Sequence, residues 1–109
     1  MNSEQAFNLA IRTRKMRELY MGYAKTYGIT FNELEILRII SIKKNITSTE
    51  ISRSLHMEPA IVSRKIKILN NNNLLKCIYN KVDKRVINLQ VTANGSRILK
   101  SIFNKIEKG

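Results

Sequence analysis

The chain has no tryptophan, one proline, one cysteine, one histidine and only four glycines among its 109 residues. A single cysteine, Cys77, excludes an intramolecular disulfide and a cysteine-built zinc site. The lone His56 has no second ligand at metal spacing, and a capping or phosphate-contact role suits it better than zinc. No metal and no cofactor are expected. Neither a carboxylate pair, a glycine-rich phosphate loop nor a nucleophile beside a base is present, so the sequence does not read as an enzyme. No apolar run approaches the roughly 18 residues that span a bilayer, and the N-terminus carries no apolar signal core. These absences lead to the expectation of a cytoplasmic protein with no membrane partner. On that basis the glycosylation-like strings Asn45-Ile46-Thr47 and Asn94-Gly95-Ser96 are chance matches.

Negative charge is also scarce. Eight Asp and Glu stand against 20 Lys and Arg, giving a formal net charge of +12 and a sequence pI near 10.2. The basic residues do not form a low-complexity tail, because 43% of the chain is hydrophobic and the apolar residues recur periodically. A folded basic domain of this length has one modest core, and a polyanion is its expected partner.

Periodicity divides the chain into helices and one hairpin. Asn2 with Gln5 resembles a capping box and opens a helix running to about Tyr27. Its second half carries Met16, Leu19, Tyr20, Tyr23, Ala24 and Tyr27 at helical spacing on one face, which suits core or dimer interface. Gly28 supplies a stop. Thr30 with Glu33 makes a second box before Leu34, Leu37 and Ile40, and Ile36 and Ile39 widen that stripe. Asn45-Ile46 reads as a short extended link. Thr47 with Glu50 forms a third box before a brief helix containing Ile51 and Leu55.

After the turn Leu55-His56-Met57-Glu58, Pro59 falls at the first position of another helix, where a proline is favoured. Val62, Ile66 and Leu69 form its narrow inward stripe, which turns Ala60, Ser63, Arg64 and Lys67 to the other side. A short helix, a tight turn and a helix with a small, polar and basic outer face make a helix-turn-helix. The run Asn70 to Asn73 ends the second helix, since asparagine tolerates the left-handed conformation. Leu75-Lys76-Cys77-Ile78-Tyr79 and Val86-Ile87-Asn88-Leu89-Gln90-Val91 then alternate about the loop Asn80-Lys81-Val82-Asp83-Lys84-Arg85, as a β-hairpin does. Thr92 caps a last helix with Leu99, Ile102, Phe103 and Ile106 on one face. The expected fold is mainly α with a small β-hairpin, a winged helix-turn-helix.

The string Ile29-Thr30, Leu34-Glu35-Ile36-Leu37, Thr47, Glu50-Ile51, Leu55, Val62-Ser63-Arg64 and Leu69 resembles the MarR family of bacterial transcriptional regulators. So does Leu74-Leu75, Asp83-Lys84-Arg85, Leu89 and Val91-Thr92-Ala93-Asn94-Gly95, in which the wing pattern Asp-x-Arg precedes a strand and Val-Thr-x-x-Gly. The resemblance covers roughly residues 29 to 100 and is carried by the combination of motifs. In length the chain is similar to the single-domain SarA branch of staphylococcal regulators, and it lacks the further C-terminal helix of typical MarR proteins. Asn73 stands where the family usually has glycine.

The resemblance implies one domain over residues 1–109: an N-terminal dimerisation helix at 1–28, a DNA-binding core at 30–91 with its wing at 74–91, and a C-terminal helix at 92–109. It implies a homodimer on an inverted-repeat operator in double-stranded DNA. The candidate DNA-binding residues are Pro59, Ala60, Ser63, Arg64, Lys65, Lys67, Lys81, Asp83, Lys84 and Arg85. Arg64 suits guanine edges in the major groove, Ser63 a base or phosphate, and Pro59 and Ala60 thymine methyls or close backbone approach. Lys65 and Lys67 suit phosphates, although Lys65 and Lys76 fit a solvated face equally well. Arg85 or Lys84 can enter the minor groove; the resemblance assigns this to Arg85, with Asp83 bracing the turn or pairing with an arginine. Lys81 and Lys84 are further phosphate contacts. The cluster Arg12 to Arg17 suits flanking phosphates or a solvated helix face. MarR proteins answer to small phenolic or anionic ligands or to cysteine oxidation; here the small-molecule effector is unknown, and little beside Cys77 would activate its thiol. The alternative function is a winged-helix protein-interaction module, or antagonist, that binds an acidic protein partner.

Overall fold

A computed structural model describes residues 1–108, apart from the side chain of Ile87. Five helices and one hairpin follow in the order α1 (Ser3–Thr26), α2 (Phe31–Ile42), α3 (Ser48–Leu55), α4 (Pro59–Asn71), β1 (Leu75–Tyr79), β2 (Val86–Val91) and α5 (Ala93–Lys108). All three capping boxes form. Asn2, Thr30 and Thr47 each accept from the backbone N–H three residues on, while Gln5, Glu33 and Glu50 reach back to the cap's own N–H. Each box satisfies two backbone donors that a helix start leaves without partners, so these sequences fix where the helices begin.

The core is aliphatic. Leu34, Ile36, Leu37, Ile51, Val62, Leu69, Leu75 and Ile102 are all essentially sealed from solvent. They come from α2, α3, α4, β1 and α5, so the helix-turn-helix, the hairpin and the last helix share one interior. The hairpin is antiparallel, pairing Leu75 with Val91 and Cys77 with Leu89, and its register shifts between Ile78 and Tyr79.

Two features differ from the sequence reading. Asn45-Ile46 forms no extended strand: Asn45 adopts the left-handed conformation at φ 62° and Ile46 turns into the core. Asparagine tolerates that backbone, and the side chain of Asn45 accepts from Asn88 Nδ2 at 3.3 Å, which ties the bend to β2. The second difference lies in α1. Tyr20, Tyr23 and Tyr27 pack against the core, but Met16 and Leu19 remain 44% and 41% exposed. From Met1 to Leu19 every residue except Ile11 is exposed. The radius of gyration is 15.6 Å, against about 13 Å for a compact chain of this length. The first half of α1 therefore stands away from the body.

Candidate nucleic-acid interface

The turn between α3 and α4 is fastened from within. His56 takes the left-handed conformation at φ 53°, which ends α3. Ser52 is buried, its hydroxyl donates to the Met57 carbonyl, and its own carbonyl accepts from Met57 N–H at 3.0 Å. Sequence inspection gave Ser52 no such part, although a serine buried on a short helix before a turn has little else to bond. Pro59 stands at the first turn of α4, and Glu58 at the cap makes no side-chain capping bond.

Val62, Ile66 and Leu69 hold one side of α4 in the core. Pro59, Ala60, Ser63, Arg64 and Lys67 lie exposed on the other. Neither Arg64 nor Lys67 enters an ion pair among the described residues, so both cations face water. Lys65 departs from this group. Its side chain is only 16% exposed, and its ammonium lies 2.8 Å from the Glu33 carboxylate at the start of α2. Lys65 follows Val62 by three residues and precedes Leu69 by four, so helical geometry places it beside the apolar seam. Burial works against ionisation of Glu33, but the bonds from Lys65 and Thr30 outweigh it and hold the carboxyl below the usual glutamate value.

The hairpin loop is built by its own side chains. Asn80 Oδ1 accepts from Val82 N–H at 2.8 Å and from Asp83 N–H at 3.3 Å, and its backbone bonds to Lys84 and Arg85 close the loop. Asp83 accepts from Arg85 N–H at 3.0 Å and pairs with the Arg85 guanidinium, Nε to Oδ2, at 2.6 Å. Asp83 therefore performs both jobs open to it, fixing the turn and pairing with arginine. Arg85 remains 74% exposed beyond that contact. Lys84 sits at φ 63°, and Lys81 and Lys84 are both exposed.

The hairpin is also tied to the end of α4. Asn73 takes the left-handed position at φ 60°, so asparagine meets the backbone need that glycine would. Thr92 Oγ1 donates to the Asn73 carbonyl at 2.7 Å and accepts from Gly95 N–H at 3.1 Å, capping α5 and closing the base of the hairpin at once. Asn70 Oδ1 accepts from Cys77 N–H at 3.3 Å. Cys77 is half-buried, and burial pushes its thiol up, away from the reactive thiolate.

A model of the MarR family matches residues 29–87, from the start of α2 through the hairpin loop into β2. The chain belongs to the MarR family. This family consists of transcriptional regulators rather than enzymes. The same fold recurs in solved structures. Staphylococcus aureus MarR, in complex with salicylate and kanamycin, is 25% identical with a TM-score of 0.83, over 97% of this chain and 71% of that one. Wild-type Escherichia coli MarR without ligand is 19% identical with a TM-score of 0.76, over 95% of this chain and 76% of that one. A cysteine-to-serine mutant of E. coli MarR complexed with operator DNA is 20% identical with a TM-score of 0.74, over 94% and 73%. A comparison with curated proteins finds no match. In this MarR-family chain the winged helix-turn-helix comprises α2, α3, α4 and the hairpin, which is the wing. No helix among the described residues is long and apolar enough to cross a membrane, and none of their His, Cys, Asp and Glu side chains cluster to hold a metal.

Proposed function

We propose that the chain is a sequence-specific regulator of transcription that binds double-stranded DNA as a homodimer on an inverted repeat, in the cytoplasm. The observation that carries this reading is the division of α4. One side is locked by Val62, Ile66 and Leu69, and the other presents Pro59, Ala60, Ser63, Arg64 and Lys67 with both cations unpaired. A rigid helix with a free polar face suits the major groove, where Arg64 can pair with guanine and Ser63 with a base or phosphate. The wing would enter the adjoining minor groove with Arg85, its guanidinium aimed by Asp83, while Lys67, Lys81 and Lys84 meet phosphates. The E. coli relative complexed with operator DNA supports the same class of partner.

Residues 30–91 then form the DNA-binding core, and residues 1–28 supply the dimerisation helix with a contribution from 92–109. Phe7, Leu9, Met16, Leu19 and Met21 of α1 are all at least 41% exposed, an apolar surface that a second copy would cover. The test is binding to the duplex upstream of the protein's own coding region, with random duplex as competitor. Specific binding should exceed random by at least about 10³. Arg64→Ala and Arg85→Ala should each weaken it at matched stability. If both variants bind as the wild type does, this face is not the DNA surface, and capture of an acidic protein becomes the reading to pursue.

A further inference from the structure

Lys65 sits beside Arg64 in sequence, yet the two side chains serve different surroundings. The Lys65 ammonium contacts Glu33 Oε2 at 2.8 Å and Thr30 Oγ1 at 3.4 Å. Glu33 is itself 6% exposed at the side chain, and its other oxygen accepts from Thr30 N–H at 3.2 Å. Each carboxylate oxygen thus has its own task, one closing the cap of α2 and the other holding α4. No buried side-chain polar atom among the described residues is left without a partner.

Such a pair is a poor source of stability, because desolvating two charges offsets most of their attraction. It is a good source of geometry. The seam of α4 is aliphatic, and aliphatic packing is non-directional and tolerates small rotations. The Glu58 side chain adds no capping bond at the start of α4 either, whereas α1, α2 and α3 each begin with a full capping box. Glu33–Lys65 is therefore the charged, directional bond between the start of α2 and the middle of α4. A helix with its side chains has a radius of about 5–6 Å, so a rotation of about 20° moves its outer atoms by about 2 Å. Bidentate bonds to a base edge do not survive that displacement, while flexible lysines on phosphates do.

We propose that the Glu33–Lys65 pair is a positioning device that fixes the rotational phase of α4 and so sets which base edges Ser63 and Arg64 reach. The proposal rests on the reading of α4 as the recognition helix. It makes Lys65 a specificity residue that acts through its neighbours and touches no phosphate.

The two roles for Lys65 separate in a binding experiment over a range of salt concentrations. Glu33→Gln keeps an acceptor for Thr30 and removes the charge; Lys65→Met removes the other charge; Lys65→Arg keeps the pair. Glu33→Gln and Lys65→Met should each lower affinity for the protein's own upstream duplex about tenfold, the scale of one good base contact. Affinity for random duplex and the salt slope should stay as in the wild type, and Lys65→Arg should bind normally. Equal weakening on both duplexes by Lys65→Met, with a salt slope smaller by about 0.9, would instead make Lys65 a phosphate contact and overturn the proposal. So would unchanged specific affinity in both charge-removing variants. Glu33→Gln carries the same readouts if Lys65→Met does not fold. Amide exchange in the free protein supplies an arm without DNA: both variants should speed exchange from Ser63 to Lys67 by more than any loss of global stability accounts for, and unaltered exchange there sinks the tie. A wild type that does not prefer its own duplex, with exchange altered as expected, shows that the DNA reading has failed and the tie has not.

Discussion

At the scale of single residues, two glutamates near the start of α2 have opposite electrostatics. Glu33 is held below the ordinary glutamate value of 4.5, whereas burial raises Glu35 above it, with Arg17 pulling back less strongly. Glu35 lines an apolar cleft of about 310 Å³ with Tyr20, Phe31, Leu34, Ile39 and Phe103, which explains its lost hydration. A carboxyl with a raised folded pKa binds its proton more tightly when folded, so above that range its charge works against the fold. Glu35→Gln should therefore raise the thermal midpoint at pH 7, and the gain should vanish as pH falls through the raised pKa and below 4.5. A gain of the same size at every pH would trace it to packing instead of charge. Glu33 has the reverse sign: its stabilisation is present above 4.5 and is lost as pH falls through its lowered pKa. Gly95 is constrained by space and not by φ. A Cβ there would stand 2.3 Å from the Leu74 carbonyl oxygen and 2.8 Å from Val91 Cγ1. Gly95→Ala must push α5 off the base of the wing. It should cost about 1–3 kcal/mol in denaturant unfolding, and a neutral result would mean that α5 docks loosely.

At the scale of elements, the helix starts were legible because the chain writes them as side chains. Asn2–Gln5, Thr30–Glu33 and Thr47–Glu50 each place an acceptor where the first turn has free N–H groups. Thr47→Ala should cost about 1 kcal/mol of unfolding free energy, and a loss near zero would mean that α3 is held by Ile51 alone. The wing was legible for the same reason, since Asn80 and Asp83 bond their own loop. The link at Asn45 was not, because an asparagine before an isoleucine reads equally well as extended or as left-handed; burial of Ile46 decides it. Among the candidate site residues, Lys65 and Lys67 have the same chemistry, and their difference depends on Glu33, which lies 32 residues away from Lys65. One local signal was available: Lys65 falls within the stripe that contains Val62 and Leu69, and Lys67 does not. The wing also makes its own prediction. Asp83→Ala removes both bonds that Asp83 makes to Arg85, so wing amides should exchange faster, while DNA affinity should fall by less than in Arg85→Ala. An equal fall would mean that Asp83 contributes as much as the arginine it orients.

At the scale of the whole molecule, a chain with a formal net charge of +12 repels its own copies, so association needs apolar area to overcome that repulsion. Such area is concentrated on α1, where Phe7 is 66% exposed, Leu9 49% and Met21 46%. Phe7 and Leu9 occupy the part of the helix that stands clear of the body and does not help to form this chain's own core. Substituting them should therefore leave the fold of α2 to α5 intact. The double variant Phe7→Glu/Leu9→Glu should sediment as a monomer at tens of micromolar, where the wild type should sediment as a dimer. Its thermal midpoint at low protein concentration should be unchanged. Raising the salt should strengthen wild-type association, because it screens the like charges without weakening the apolar contact. DNA binding is expected to respond in the opposite direction, weakening as salt releases the phosphate contacts. A wild type that is already monomeric at every salt concentration would remove the two-fold axis, and with it the expectation of an inverted repeat, while leaving the single-copy contacts of α4 and the wing open to the same binding assay.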